Sequence, residues 1–416
     1  MDLAQDLKAR GIAGNSSAPL EEILKTKRGI YLGIDPTADS MQAGNLSVLM
    51  LMKRLANAGH RIVFVVGGGT GMIGDPRESG ERSLLDKRTL EHNKRALRAQ
   101  LQKIMGRKIE MVDNLSWLGK EGLLPFLRDI GKHFTVNELV KRDLIKRRLD
   151  TPDESISFTE FTYSLLQGLD FLTLYKKKGV DTQIGGDDQW TNLLSGVELI
   201  RRKLGQEAYC FTSPLVTDAN GKKFGKSEGN AIWLDPKKTS PFAFYQFWIN
   251  LPDAKLDIYL KLYTFLSVNE IDALMELHKR NPGERQAQET LARLVTETVH
   301  GPAATAQAAA ATDALFGNRP FSELSREEMA VVLAEARSLK IDKARLAAGF
   351  TAVDALVDGG LANSKSDARR LIEAKGVSVN GVTAENPEHP FFETDFSTGA
   401  ALVRKGKRDV LLVILK

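Results

Sequence analysis

The sequence predicts an α/β fold built on a parallel sheet, and two observations carry that reading. Gly29–Ile34 reads as a short buried strand stopped by Asp35-Pro36, and Arg61–Val66 is continuously apolar, which suits a parallel strand covered on both faces. Between them Val48, Leu51, Met52 and Leu55 repeat at the i, i+3, i+4, i+7 spacing of one helix face. A strand, a helix and a strand in so short a run make a βαβ unit.

The remaining elements follow in order. Gly59 closes the first helix. Helices dominate residues 88–150, and 83–104 look like one long helix. Residues 126–148 carry Lys132, Lys141, Arg142, Lys146, Arg147 and Arg148. Residues 179–184 read as another strand before a Gly-Gly-Asp-Asp turn, and 193–202 as a helix. Leu215 and Val216 are expected to end a further strand, and Asn220-Gly221 is a turn signal. The pattern from 240 to 300 is mostly helical, and 302–311 is rich in alanine. A helix through Ala374 starts near Asn363-Ser364, and Asn380-Gly381 between Val377–Val379 and Val382 is a strong hairpin signal. A last strand covers 409–415. The expected domains are 1–235, 236–344 (a helical domain and connector) and 345–416.

Composition narrows the class. With 42% apolar and 27% charged residues over 416 positions, the chain is ordinary globular protein of two or three domains, not a disordered or collagen-like one. A net charge of +5 permits an anionic partner without demanding one. The single cysteine, Cys210, allows no internal disulfide and no Cys-rich zinc site. His60, His92, His133, His278, His300 and His389 do not pair at metal-ligand spacing. The N-terminus is charged and amphipathic, unlike a signal peptide, and no apolar run reaches the ~18 residues of a membrane span. The expectation is a cytoplasmic protein with no membrane partner.

Four motifs carry chemistry, each with a plainer reading beside it. Gly69-Thr70-Gly71-Met72-Ile73-Gly74 matches G-x-G-x-x-G directly after a strand. A dinucleotide site wants an acidic strand end ~20 residues on, where this sequence looks helical. A structural turn, or a loop shaping another ligand's pocket with Asp75 binding an ammonium group, are the other readings. Lys222-Lys223-Phe224-Gly225-Lys226-Ser227 misses the P-loop spacing, because position 220 is Asn220. Its lysines can still grip phosphates as point charges, or form a solvated basic turn. Gly185-Gly186-Asp187-Asp188-Gln189 lets backbone approach a ligand and offers carboxylates to ribose hydroxyls, or it is an acidic helix cap. Tyr163, Gln167 and Asp170 share one helix face, either solvated or lining a polar pocket.

Taken together and in this order, these motifs resemble those of the bacterial tyrosyl-tRNA synthetases, a class I family. The resemblance rests on Tyr31 with Asp35-Pro36-Thr37-Ala38-Asp39-Ser40, residues 67–76, Tyr163 to Phe171, Gln183 to Trp190, Lys223-Phe224-Gly225-Lys226-Ser227 and 244–250, and spans essentially the whole chain. It implies a Rossmann-like catalytic domain, and the tail from about 345 resembles an S4-type RNA-binding module. It also implies roles. Tyr31 and Asp170 match the residues that hold the tyrosine phenol. Asp75, Tyr163 and Gln167 match those on its ammonium, and Gln189 falls near its carboxylate. Gly186 and Asp188 match ribose contacts, Asp35 lies beside the nucleotide, and Leu215 and Val216 match adenine-packing positions. Lys223 and Lys226 match the lysines that grip pyrophosphate, and Arg82 belongs to a second loop.

One departure stands out. Where class I enzymes carry His-x-Gly-His, this chain has Gln42-Ala43-Gly44-Asn45. Gly44 stays where ATP passes closely. Gln42 and Asn45 can donate neutral hydrogen bonds to phosphate but cannot become cationic. The implied reaction is two-step. The tyrosine carboxylate attacks the α-phosphate of ATP, giving tyrosyl-adenylate and pyrophosphate, and the tyrosyl group then passes to tRNA(Tyr). Thr37, Gln42, Asn45, Lys223 and Lys226 would stabilise the leaving pyrophosphate with Mg²⁺.

Arg201, Arg202 and Lys203, the basic stretch 141–148, and Lys365, Arg369, Arg370 and Lys375 are candidate tRNA phosphate contacts; the alternative for each is a solvated face. The family forms homodimers, with 126–140 at the implied interface. The rival readings are a catalytically weakened paralogue that binds RNA, supported by Gln42 and Asn45, a tryptophanyl enzyme, and a dinucleotide oxidoreductase.

Overall fold

The computed structural model describes residues 2–76, 85–218, 221–222, 224–227, 230–388 and 390–416, with the side chains of Asp143, Lys226, Ser227 and Asn230 left aside. The chain divides into two compact units, Met1–Thr239 with Leu251–Leu291, and Ser240–Asn250 with Ala292–Lys416. Among the described residues no helix is long and apolar enough to cross a membrane.

The first unit is built on strands β1 (Gly29–Ile34), β2 (Arg61–Val66), β3 (Glu110–Asp113), β4 (Thr182–Gly186) and β5 (Tyr209–Ser213), all parallel, in the order β3-β2-β1-β4-β5. The chain steps outward from β1 to β3, then returns to the other side for β4 and β5. The carboxyl ends of β1 and β4 therefore diverge at a topological switch point, where open α/β sheets form their ligand crevice. Tyr31 of β1 stands in register between Val63 of β2 and Gln183 of β4.

Four helices frame the sheet: α1 (Ala43–Asn57), α2 (Lys87–Met105), α3 (Phe158–Lys178) and α4 (Trp190–Leu204). Their ends follow from side-chain chemistry. Asp86 caps α2 by accepting from the amides of Arg88 and Thr89, and Ser157 caps α3 by accepting from Glu160 N at 3.2 Å. Gly106, Gly179 and Gly205 close α2, α3 and α4 in the left-handed conformation. This corrects the expected strand at 179–184. Gly179 is a helix terminator, and the strand starts at Thr182. The strand expected to end at Leu215 and Val216 stops at Ser213, because Pro214 offers no amide to continue the ladder. Strand β3 lies within the stretch read as helical.

A short antiparallel ribbon, β6 (Lys226–Ser227) with β7 (Asn230–Ala231), completes the labelled strands of this unit. In the second unit β8 (Ser338–Ile341), β9 (Val377–Val379), β10 (Val382–Thr383), β11 (Ala400–Lys405) and β12 (Asp409–Leu415) form a sheet in the order β10-β9-β11-β12-β8. Its core includes Phe350, Phe391, Phe396, Val403 and Leu411. The β9–β10 turn has Asn380 at φ 49 and Gly381 at φ 84, the paired positive angles of a type I′ hairpin. Helix α5 (Lys365–Glu373) begins at a Ser364 cap.

Candidate active site

A cavity of about 490 Å³ opens at the carboxyl ends of β1 and β4. Tyr31, Asp35, Thr37, Gln42, Gly44, Asn45, Asp75, Tyr163, Gln167, Asp170, Gly186, Asp188, Gln189, Leu215 and Val216 all line it. These residues come from both ends of the first unit's sequence. The switch point brings them together.

At the closed end Tyr31 is buried against Phe171, with ring centroids 5.3 Å apart. Its hydroxyl has no hydrogen-bond partner among the described residues. Asp170, on α3, is buried beside it. Its Oδ1 accepts from Trp117 Nε1 at 2.7 Å and its Oδ2 from Asn114 Nδ2 at 2.8 Å. Burial pushes the Asp170 carboxyl up to about 7, while those two donors pull it down. Burial, with the nearby Asp170 charge, raises the Tyr31 phenol well above its ordinary range.

Farther out, Tyr163 Oη donates to Asp35 Oδ2 at 2.7 Å, and Thr70 Oγ1 donates to Asp35 Oδ1 at 2.7 Å. The glycine run after β2 makes this possible. A Cβ on Gly67 would sit 2.0 Å from Asp35 Oδ1. Asp75 accepts from Gln189 Nε2 at 2.7 Å and Asn192 Nδ2 at 3.2 Å. Burial raises its carboxyl to about 6, against the pull of Gln189 and with the Asp35 charge adding to the rise. Three carboxylates, Asp35, Asp75 and Asp170, thus surround a small volume suited to a cation and a hydroxyl. The stripe of Tyr163, Gln167 and Asp170 faces this pocket.

At the mouth, exposed Asp188 follows Gly186, whose Cβ would meet Asp188 Oδ1 at 2.5 Å. Leu215 is half exposed and Val216 buried beneath the same opening. Helix α1 points its first turn at the cavity. There Asn45 Oδ1 accepts from Gln42 N at 3.1 Å. That bond fixes the amide, so Nδ2 is the donor left to face a ligand.

Two family models cover nearly all of the chain. The model described as tRNA synthetases class I (W and Y) matches residues 25–317. The one described as the Tyrosine--tRNA ligase SYY-like C-terminal domain matches 334–413. The chain belongs to the class I tyrosyl-tRNA synthetase family. A Tyrosine--tRNA ligase of Chromobacterium violaceum is 43% identical over 99% of this chain and 98% of its own. One of Leuconostoc citreum is 44% identical over 100% of both. A C-terminally truncated mitochondrial tyrosyl-tRNA synthetase of Aspergillus nidulans has a TM-score of 0.66 at 30% identity, covering 73% of this chain and 91% of that one.

Membership of this synthetase family sets the remaining candidates in context. Arg201 and Arg202 lie at the end of α4, away from the cavity lining, and both pair with Glu198. In the second unit Lys365 pairs with Asp354, Arg369 with Glu388 and Arg370 with Asp367. Lys223 and Arg82 lie outside the described residues, and Lys226 is described by its backbone in β6. Sequence reasoning missed Asn114, Trp117 and Asn192. It also missed Gln183, which is fully buried in the cavity wall with neither amide atom hydrogen-bonded among the described residues. Gln183 stands beside Thr182 in β4, Thr-Gln-Ile-Gly-Gly, where no apolar run marks it out; Asn114 and Trp117 follow the unrecognised β3.

Proposed function

We propose that this chain activates L-tyrosine with ATP and transfers it to tRNA(Tyr), as the family name implies, using the cavity described above. The observation that carries the reading is the closed end of that cavity. Tyr31 presents an unpartnered hydroxyl beside Asp170, whose two oxygens are already held in place. A phenol hydroxyl entering there satisfies both groups, whereas a ring without it leaves buried polar atoms unpaired.

The roles follow outward from that end. Tyr31 and Asp170 hold the phenol, and Asp75, Tyr163 and Gln167 the ammonium. Gln189 lies by the carboxylate. Gly186 and Asp188 take the ribose, Asp35 borders the nucleotide, Gly44 lets ATP pass, and Leu215 and Val216 pack the adenine. The substrate carboxylate attacks the α-phosphate in line, so no enzyme nucleophile is needed; the chain positions the reactants and stabilises the pyrophosphate. Thr37, Gln42, Asn45, Lys223, Lys226 and Arg82 are the stabilising groups. Among the described residues no cluster of three or more His, Cys, Asp or Glu could hold a metal ion. Mg²⁺ held on the ATP phosphates would neutralise phosphate charge.

Residues 1–235 form the catalytic domain in this reading, 236–344 a helical domain and connector, and 345–416 an S4-like RNA-binding domain. Arg201, Arg202, Lys365, Arg369 and Arg370 contact tRNA phosphates. The protein is a cytoplasmic homodimer. Leu123 and Leu124, 71% and 76% exposed beside 126–140, support a partner surface there.

The test is tyrosine-dependent ATP–pyrophosphate exchange by the purified chain, with phenylalanine and tryptophan as comparators. Exchange with tyrosine alone is expected. No exchange from protein that still binds tRNA would overturn the reading in favour of an RNA-binding paralogue weakened at Gln42 and Asn45.

A further inference from the structure

The chain that leaves the β6–β7 ribbon is zipped onto the start of α1. Ala43 N donates to Ile232 O at 2.8 Å, and Leu234 N donates to Met41 O at 2.9 Å. Gln42 and Trp233 form an antiparallel bridge, and Asp235 N donates to Ser40 Oγ at 3.1 Å. Ile232 N donates to Gly225 O at 2.9 Å, which ties the seam back to the ribbon. The packing is tight. A Cβ on Gly44 would lie 3.1 Å from Phe224 O, and one on Gly225, itself at φ +79, would lie 3.3 Å from Ala43 Cβ and Gly44 N. Phe224 is in turn anchored against the Tyr259 ring at 4.7 Å. The backbone of Lys226 in β6 is therefore tied, through Gly225 and Ile232, to Ala43 and Gln42.

One ion pair ends this seam. Lys238 Nζ lies 2.5 Å from Asp39 Oδ1 and 4.8 Å from the centroid of the Trp233 ring. His92 Nε2 of α2 lies 3.9 Å from the other Asp39 oxygen. Neither Asp39 nor Lys238 lines the cavity, although Ala38, Ser40 and Trp233 do. The pair is thus placed to act on the seam and not on a nucleotide. Asp39 stands three residues before Gln42, and Lys238 five residues after Trp233, in the turn that follows the second segment of the seam.

We propose that Asp39 and Lys238 form a positioning latch, which holds the seam closed so that the β6 backbone at Lys226 keeps its place against the start of α1, where Gln42 and Asn45 stand. The latch rests on the phosphate role assigned to Lys226 above. It acts on adenylate formation because the seam borders the phosphate end of the cavity, whereas the tyrosine pocket is built from other residues. Each partner is about one-third exposed, so the effect is modest.

The experiment is steady-state ATP–pyrophosphate exchange on the full chain. Lys238→Met and Asp39→Asn are each expected to lower kcat about fivefold, with the KM for tyrosine unchanged. The double exchange Asp39→Lys with Lys238→Asp is expected to recover most of the loss. Unchanged kcat in both single variants, or a double variant no better than the singles, overturns the latch. So does a loss of tyrosine affinity that tracks a fall in melting temperature, because that marks a merely structural pair. Lys226→Ala is measured alongside. Exchange lost there but intact in Lys238→Met rejects the latch alone, while exchange retained in Lys226→Ala rejects the role of the lysine loop and the latch with it.

Discussion

Trp117 donates its indole N–H to Asp170 at 2.7 Å. Asn114 takes the other carboxylate oxygen. Asn114 follows β3 directly and Trp117 lies in the short helix Leu115–Leu118 after it, so an edge strand sets the orientation of the carboxylate expected to read the substrate hydroxyl. Asp170→Ala should lower kcat/KM for tyrosine roughly tenfold to a hundredfold, the ~1.5–3 kcal/mol of a hydrogen bond to a charged group. It should lower phenylalanine activation far less. Exchange kinetics with both amino acids check this, and equal losses for the two would rule out the assignment.

The raised carboxyl of Asp170 has a pH signature in binding. An ionised carboxylate accepts from the phenol, so tyrosine KM should rise as pH falls through about 7. Trp117→Phe removes a bond that favours the charged form and should move that midpoint upward. A KM–pH profile of both proteins measures the shift, and a midpoint unmoved by Trp117→Phe would contradict it.

Stability should run the opposite way. The folded pKa of Asp170 lies above its value of about 3.8 in an unfolded chain. Its favourable contribution is fully present below the unfolded value and is lost as pH rises through about 7. The parent should therefore lose up to about 4 kcal/mol of unfolding free energy between pH ~4 and pH ~8 from this group. Asp170→Asn should lack that pH-dependent loss, set against a fixed cost at both pH values, because its amide NH2 must face either the Trp117 or the Asn114 donor. Thermal melts at the two pH values decide it.

Asn45 separates folding from catalysis. Asn45→Asp keeps the oxygen that accepts from Gln42 N, so the start of α1 should survive. It removes the amide donor proposed to face the phosphates. The expected result is an unchanged melting temperature with kcat for exchange lower by about a hundredfold or more.

In the second unit each candidate RNA contact on α5 is already shared with a carboxylate. Arg369→Ala with Arg370→Ala should weaken tRNA binding and lower the slope of log affinity against log salt by about 2. Exchange should be untouched. Filter binding over a salt series measures the slope.

What the sequence revealed, and what it hid, follows from where its signals are strong. Gly29–Ile34, Arg61–Val66 and the helix between them were legible because each is buried and its periodicity undisturbed. Strand β3 was not, because at the sheet edge its four residues, Glu110 to Asp113, are all partly exposed and polar at both ends. With β3 went Asn114 and Trp117, whose importance depends on a contact with a residue far along the chain. Leu215 and Val216 line the cavity but do not end a strand, since apolar character alone does not distinguish a strand end from a loop over a cavity. Tyr163, Gln167 and Asp170 stayed ambiguous between solvent and pocket until the neighbouring strands were in place.

The strand order has a consequence for how this molecule is made. Tyr31 sits on the central strand, and its neighbour Gln183 belongs to β4. During synthesis β1 and β2 emerge early and can pair, but the other edge of β1 stays open until β4 arrives. At ~5–20 residues per second the wait is on the order of ten seconds. Throughout it an apolar strand edge is exposed beside the ribosome, a natural point for a chaperone to hold the nascent chain.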